Sequence, residues 1–246
     1  PIRLDLEPVP PQHPVAGEAF ATPYAINFSA DEQTLFLTAA GSNKFFTMSA
    51  EDGALLGRVD TGSVPRGIAV TPDNEAFILN VADNTVTVVD VTSPTELIVR
   101  RTIELIDPRD PEIKAGRRLF NEAGMSTSGT FSCESCHPDG HTDQLIWVLE
   151  TPVCDVDGCT QIPPRLTMPV RGARDTGPYH WDGIPGDPFG GINTASINAD
   201  VEPNCAENDP LSCVRNLVDG SLSTTMCEVG NCMSSAEGLP GAFNET

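Results

Sequence analysis

Apolar and polar residues alternate in short runs through the first half of the chain. Ala25–Phe28, Thr34–Thr38, Lys44–Met48 and Leu55–Asp60 read as strands, and turns rich in Asp, Asn, Gly and Ser separate them. The pattern then returns. Pro23–Asp31 aligns with Pro65–Asp73 at a spacing of 42 residues. Thr34–Thr38 aligns with Ala76–Asn80, and Lys44–Met48 lies near Thr85–Asp90. The alternation stops at Asp107-Pro108-Arg109-Asp110-Pro111, where proline breaks the strand pattern. Beyond it Glu112–Phe120 predicts a helix, with Ile113, Gly116, Leu119 and Phe120 on one face.

Four strands in each unit of about 40–45 residues is the period of a β-propeller blade. The stretches VPRGIAVTPD and NTVTVVDV, within residues 23–106, resemble blades of the YVTN type. Two blades do not close a propeller, which takes about four to eight. The resemblance therefore implies earlier blades upstream of Pro1, or partner chains covering the exposed sheet faces. Residues 1–22 form an extended, Pro-rich lead segment, residues 23–108 the two blades, and residues 109–246 a separate domain. The Pro-rich start and the helix-opening Asn244-Glu245 at the end suggest a piece of a longer polypeptide.

Charge narrows the function classes. The 246 residues carry 14 Lys and Arg against 35 Asp and Glu, a formal charge of −21. Phosphate neutralisation needs clustered Lys and Arg, so nucleic acid is disfavoured, as is docking on anionic lipid. No apolar run reaches the length needed to span a bilayer. An acidic surface attracts basic partners. The eight cysteines all lie in the second half. Six fall into close pairs, Cys154/Cys159, Cys205/Cys213 and Cys227/Cys232, and neighbour pairing would staple three short polar loops. Other connectivities stay open. Disulfides would place the chain in an oxidising compartment, the periplasm or the cell exterior.

The remaining two cysteines stand in Cys133-Glu134-Ser135-Cys136-His137. Cys-x-x-Cys-His is the attachment signature of a c-type haem. Two thiols add across the two vinyl groups, and the adjacent imidazole reaches the iron from the same short helix. One such motif implies one covalent haem c, with His137 as the proximal ligand. A thioredoxin-like redox pair would need a βαβ setting, and a zinc knuckle a second cysteine pair at matching spacing.

The segment AGRRLFNEAGMSTSGTFSCESCHPDGHTDQLIW resembles the cytochrome c domain of bacterial di-haem peroxidase and MauG-like proteins. The downstream PPRLTMPVRGARDTGPYHWDG resembles that family's Arg-x-Thr-Pro-x-Leu-Arg pattern followed by Trp-Asp-Gly or His-Asp-Gly. The likeness covers residues 112–190 and implies a mixed fold: propeller-type antiparallel blades followed by a mostly α-helical, loop-rich cytochrome c domain. It also implies that Arg171 binds the haem propionates and that Trp181 lies beside the haem. Arg165 and Arg174 flank the same loop. For the sixth ligand His180 is preferred and Met168 is the alternative; an open or water-bound iron is the third case. His141 lies too close to His137 to reach the opposite face and reads as a surface or propionate-contacting residue. His13 reads as structural or solvated. Asp155, Asp157, Asp182 and Asp187 read as solvated loop carboxylates, since no calcium-loop spacing is present.

The preferred function is an exported, single-haem electron carrier whose redox partner is a basic protein or another cytochrome. A peroxidase-like or MauG-like enzyme is the first alternative. It would need an open iron, a distal acid–base pair and a second haem; no catalytic residue is assigned. A cell-surface propeller binding module with an accessory haem is the second alternative.

Overall fold

The computed structural model describes residues 6–8, 12, 14–15, 17–126, 128–148, 164–172, 176–177, 188–189, 203, 206–209 and 212. The chain divides into two compact units, Pro1–Ser135 and Cys136–Thr246.

In the first unit the alternating runs form two four-stranded antiparallel sheets. Strands β1 (Pro23–Phe28), β2 (Thr34–Ala39), β3 (Lys44–Ser49) and β4 (Leu55–Asp60) hydrogen-bond in chain order. Strands β5 (Pro65–Val70), β6 (Glu75–Asn80), β7 (Thr85–Asp90) and β8 (Ile98–Glu104) repeat that order. The repeat extends to the turns. Glu32 and Asn74 take positive φ before β2 and β6, and Asn43 and Asn84 do so before β3 and β7. Asparagine tolerates this left-handed region. Two four-stranded meanders at the expected period are propeller-like blades.

The blades meet along one apolar seam. Phe36 and Phe45 from the first sheet pack with Ala76, Ile78, Val89 and Val91 of the second, and Val59, Ile68, Val70 and Leu97 border them. Strands β2 and β3 are buried on both faces, which is why their apolar runs are nearly continuous rather than strictly alternating. The seam is also stitched by polar groups. The Thr47 hydroxyl donates to the Pro94 carbonyl at 2.6 Å. Gly57 on β4 lies so close to that carbonyl that a Cβ would sit 2.7 Å from its oxygen. Gly57→Ala therefore forces the blades apart; we expect a loss of about 1–3 kcal/mol in urea unfolding of the full chain.

Leu6 and Phe20 pack on the face of the first blade that lies away from the seam. Phe20 lies against Phe46 with ring centroids 4.4 Å apart, and Leu6 joins Leu35, Leu37, Ala39 and Met48 in the same cluster. Arg58 pairs with Glu18 at 2.6 Å and sits over the Phe20 ring. Tyr24, Ile26 and Phe28 of β1 and Leu79, Val99 and Ile103 of the second blade remain exposed.

Helix α1 (Pro111–Asn121) starts where proline fits a first helical turn, and Asp110 caps it by accepting from the Glu112 N–H at 2.9 Å. No residue of α1 is buried, and Ile113 is exposed, so the apolar face expected from periodicity is not what anchors the helix. Polar arms do this. Arg109 donates to Asp107 through Nε and Nη2, each at 2.7 Å, and to the carbonyls of Val81 and Ala82. Lys114 adds to Asp107 at 3.1 Å, Arg118 pairs with Asp83, and Asn43 donates to Glu122 at 2.9 Å.

Arg109, and then Lys114, hold the Asp107 carboxyl far below the usual carboxylate range. The Thr92 hydroxyl and N–H, with Arg100, lower Asp90 to about 2. A carboxylate depressed in the folded state stabilises above its unfolded pKa and loses that contribution as pH falls through the folded value. The thermal unfolding midpoint is thus expected to hold steady from pH 7 to 5 and to fall from about pH 4 downward. Asp107→Asn should lower the neutral-pH plateau and flatten the acid limb, read by circular dichroism melts.

In the second unit β9 (Ile146–Val148) pairs antiparallel with β10 (Pro164–Leu166). Among the described residues after 108, the helices are α1, a four-residue turn, α2 (Cys133–Cys136), and short 3-10 turns, with Ser212 also helical. The described residues thus give blades with few helices, and the expected mostly helical domain is not seen in them. No helix among them is long and apolar enough to cross a membrane.

Candidate functional site

The site is built on α2, whose two cysteines stand at its ends, one helical turn apart, and are not joined to each other. Ser132 is fully buried and opens the turn: its N–H donates to the Ser135 hydroxyl at 3.0 Å, and its carbonyl accepts from the Ser135 N–H at 3.0 Å. Burial pushes the Cys133 thiol pKa up, and the Glu134 carboxylate adds to the rise. Cys133 is therefore a neutral thiol at pH 7 rather than a reactive thiolate.

Glu134 is 6% exposed, an unusual place for a carboxylate. Arg66 on β5 answers it. Its Nη2 donates to Glu134 Oε1 at 2.5 Å and to Asn121 Oδ1, at the end of α1, at 3.0 Å. The guanidinium carbon lies 4.7 Å from the Tyr24 ring centroid. None of these four residues was singled out from sequence as a site residue. One signal was present: in the internal repeat the position held by Tyr24 in the first unit is held by Arg66 in the second.

On the second unit, His137 follows the turn directly. Its Nδ1 lies 2.7 Å from the Met168 carbonyl oxygen. A carbonyl can only accept, so Nδ1 carries the proton and Nε2 is left as the lone-pair nitrogen. The 138–143 loop is clasped to 167–171. Val170 N–H and Arg171 N–H both donate to the Gly140 carbonyl, at 2.8 and 3.1 Å, and Thr142 Oγ1 donates to the Thr167 carbonyl at 2.7 Å. Gly140 has φ of +74°, and a Cβ there would lie 3.2 Å from Arg171 Cγ, so the clasp needs glycine on both counts. Asp143 sits close by. Burial works to raise its pKa, but the Leu145 N–H, the Thr167 hydroxyl, the Trp147 indole N–H and His137 outweigh it and lower the net value. An ionised Asp143 supports the imidazole electrostatically.

Of the other sequence candidates, Arg171 donates from Nε to the Asp139 carbonyl at 2.6 Å. Met168 is brought to His137 through its backbone, with its side chain exposed. His141 is exposed. His180, Trp181, Arg174, His13, the aspartates at 155, 157, 182 and 187, and the other six cysteines lie outside the described residues. Among the described residues no cluster of three or more His, Cys, Asp or Glu is arranged to hold a bare metal ion.

The described residues thus define a chain of propeller-like blades followed by a Cys-x-x-Cys-His turn. No protein-family model matches the chain, and no curated protein matches it. Several solved structures are similar over about a third of the chain. Hydrazine synthase of Kuenenia stuttgartiensis is 28% identical over 35% of this chain and 24% of its own, with a TM-score of 0.32. The periplasmic gluconolactonase PpgL of Pseudomonas aeruginosa is 20% identical over 36% of this chain and 27% of its own, at 0.30. The dihydro-haem d1 dehydrogenase NirN is 15% identical over 35% and 18%, at 0.31. The chain spans well under two thirds of the length of each of these proteins.

Proposed function

We infer that this is an exported c-type cytochrome that binds one haem covalently through Cys133 and Cys136 and transfers electrons. The observation that carries this reading is the state of His137. Its Nδ1–H donates to a backbone carbonyl, which fixes the tautomer, orients the ring and leaves Nε2 free to ligate iron. The donor set fits the group: two thiols one helical turn apart, followed at once by an oriented imidazole.

The chain's residues then divide the work. Cys133 and Cys136 tether the group by thioethers, and His137 ligates from Nε2. Met168 supplies the carbonyl that raises the basicity of that imidazole, and Asp143 stabilises positive charge on it. The Met168 carbonyl meets the His137 ring at the edge away from Nε2, which supports the preference for His180 as the sixth ligand. Arg171 and Trp181 are carried as propionate and edge contacts. When bound, the haem supplies a reversible one-electron couple. A net charge of −21 favours a basic redox partner, and three local disulfides suit the periplasm or the cell exterior.

The test is the mass and spectrum of the chain made with haem-ligation machinery. We expect a gain of ~616 Da and a Soret band; an unchanged mass and colourless protein overturn the reading. Reduced protein mixed with carbon monoxide distinguishes the two haem chemistries. A six-coordinate carrier keeps its spectrum, whereas prompt conversion to the carbonyl form, with peroxide turnover, moves the assignment to the peroxidase-like class.

A further inference from the structure

We propose that Arg66 is a positioning residue for the attachment turn, holding Cys133 in place from the second blade through Glu134. This rests on the haem-attachment reading only for its functional meaning; the latch itself stands on the geometry of the first unit.

Arg66 is 15% and Glu134 6% exposed, so both charges are largely out of water. A buried ion pair is held only where further hydrogen bonds and contacts complete it. Here Asn121 accepts a second bond from Nη2, and Tyr24 presents its ring to the guanidinium. Three separate elements, β1, α1 and α2, thereby converge on one residue of β5. The backbone leading to Arg66 is itself unusual. Val64 has φ of +60°, in a region a β-branched residue avoids, and persists there because it is 1% exposed and its N–H donates to Asn43 Oδ1 at 2.8 Å. Ser63 N–H is likewise held by Asp83 at 2.6 Å. The same loop residues grip α1, through Asn43–Glu122 and Asp83–Arg118. The strained entry to β5 therefore aims Arg66 at the turn while its neighbours fix the helix before it.

The consequence is specific. Glu134 lies next to Cys133 and is one of the two residues between the thiols. With Arg66 in place, the turn keeps Cys133 half-buried. With Arg66 removed, Glu134 loses the guanidinium hydrogen bond at its carboxylate, and the turn loosens to hydrate it. The positive charge of a blade residue thus sets the geometry in which the Cys133 sulfur is offered.

The test uses the full chain made without haem-ligation machinery, so that Cys133 remains a thiol. Iodoacetamide labelling of Cys133, followed by peptide mass mapping, is compared for the unaltered chain, Arg66→Met and Arg66→Met/Glu134→Leu. We expect Arg66→Met to label at least tenfold faster. The paired variant, with no carboxylate to hydrate, should return to within about twofold of the unaltered rate. Should Arg66→Met lose the β-sheet signal in circular dichroism, Arg66→Lys replaces it, with a smaller acceleration expected because the ammonium lacks the planar fork. Unaltered labelling in a folded Arg66→Met or Arg66→Lys chain overturns the proposal, as does fast labelling that the paired variant does not reverse. A parallel preparation with the haem-ligation machinery separates the two readings. If the unaltered chain takes no haem, attachment fails and labelling still decides the latch. If it takes haem, Arg66→Met is expected to yield a third or less of the covalent porphyrin.

Discussion

Cys133→Ala/Cys136→Ala, produced with haem-ligation machinery, yields protein with no covalently bound porphyrin. Thioether formation needs both sulfurs at the ends of one helical turn, and α2 provides the one such pair spaced Cys-x-x-Cys-His in the chain. The other six cysteines stand in wider spacings without a following His, so they offer no substitute. Haem stain after denaturing electrophoresis and the pyridine haemochrome spectrum both fall to background. Either single replacement leaves one thioether, which shifts the haemochrome band rather than removing it. His137→Ala separates tether from ligand: porphyrin stays attached, but the six-coordinate spectrum is lost and carbon monoxide binds. Full haem content in the double variant would falsify the assignment of these sulfurs.

The second large effect lies in the seam. Phe45→Ala removes a side chain that is 0% exposed and stacked on Phe36 at a centroid distance of 6.0 Å. Its neighbours in that cluster, Ala76, Ile78 and Val89, are themselves fully buried and belong to the other blade, so they cannot move in without parting from their own sheet. The cavity therefore persists, and the expected cost is about 3–5 kcal/mol. That is a large part of the ~5–15 kcal/mol that holds a domain folded. Urea unfolding followed by circular dichroism should show a much lower midpoint. Leu55→Ala, on the 43% exposed Leu55 of β4, should move it by no more than about 0.5 kcal/mol. Equal effects of the two changes would mean that the blades do not share a core.

The position of the seam bears on the site. Arg66 is on β5, whose neighbour Ile68 borders the seam, and Tyr24 reaches Arg66 from the first sheet. Loosening the blades should therefore also loosen the grip on Glu134. Phe45→Ala is expected to raise Cys133 labelling in the folded population, whereas a peripheral change such as Leu55→Ala should not.

Strand alternation, the 42-residue repeat, the helix after Asp110 and the Cys-x-x-Cys-His turn were all legible along the chain, because each is written by neighbours within a few residues. Side-chain period, turn chemistry and cap residues are local physics. The strands appear within a residue or two of the runs that predicted them, and α1 contains the predicted Glu112–Phe120. What the alternation could not show was which apolar face would be covered and by what. Phe20 reaching Phe46, and α1 held by arginines rather than by Ile113, depend on which surfaces meet. The site divides the same way. Two thiols and an imidazole were plain from spacing alone. The Arg66–Glu134 pair spans 68 residues of chain, and the His137–Met168 bond spans 31. A buried charge chooses its partner through desolvation, and an imidazole its tautomer through the acceptor that happens to face it. Both are decided only when distant segments come together, so tertiary structure alone assigned them.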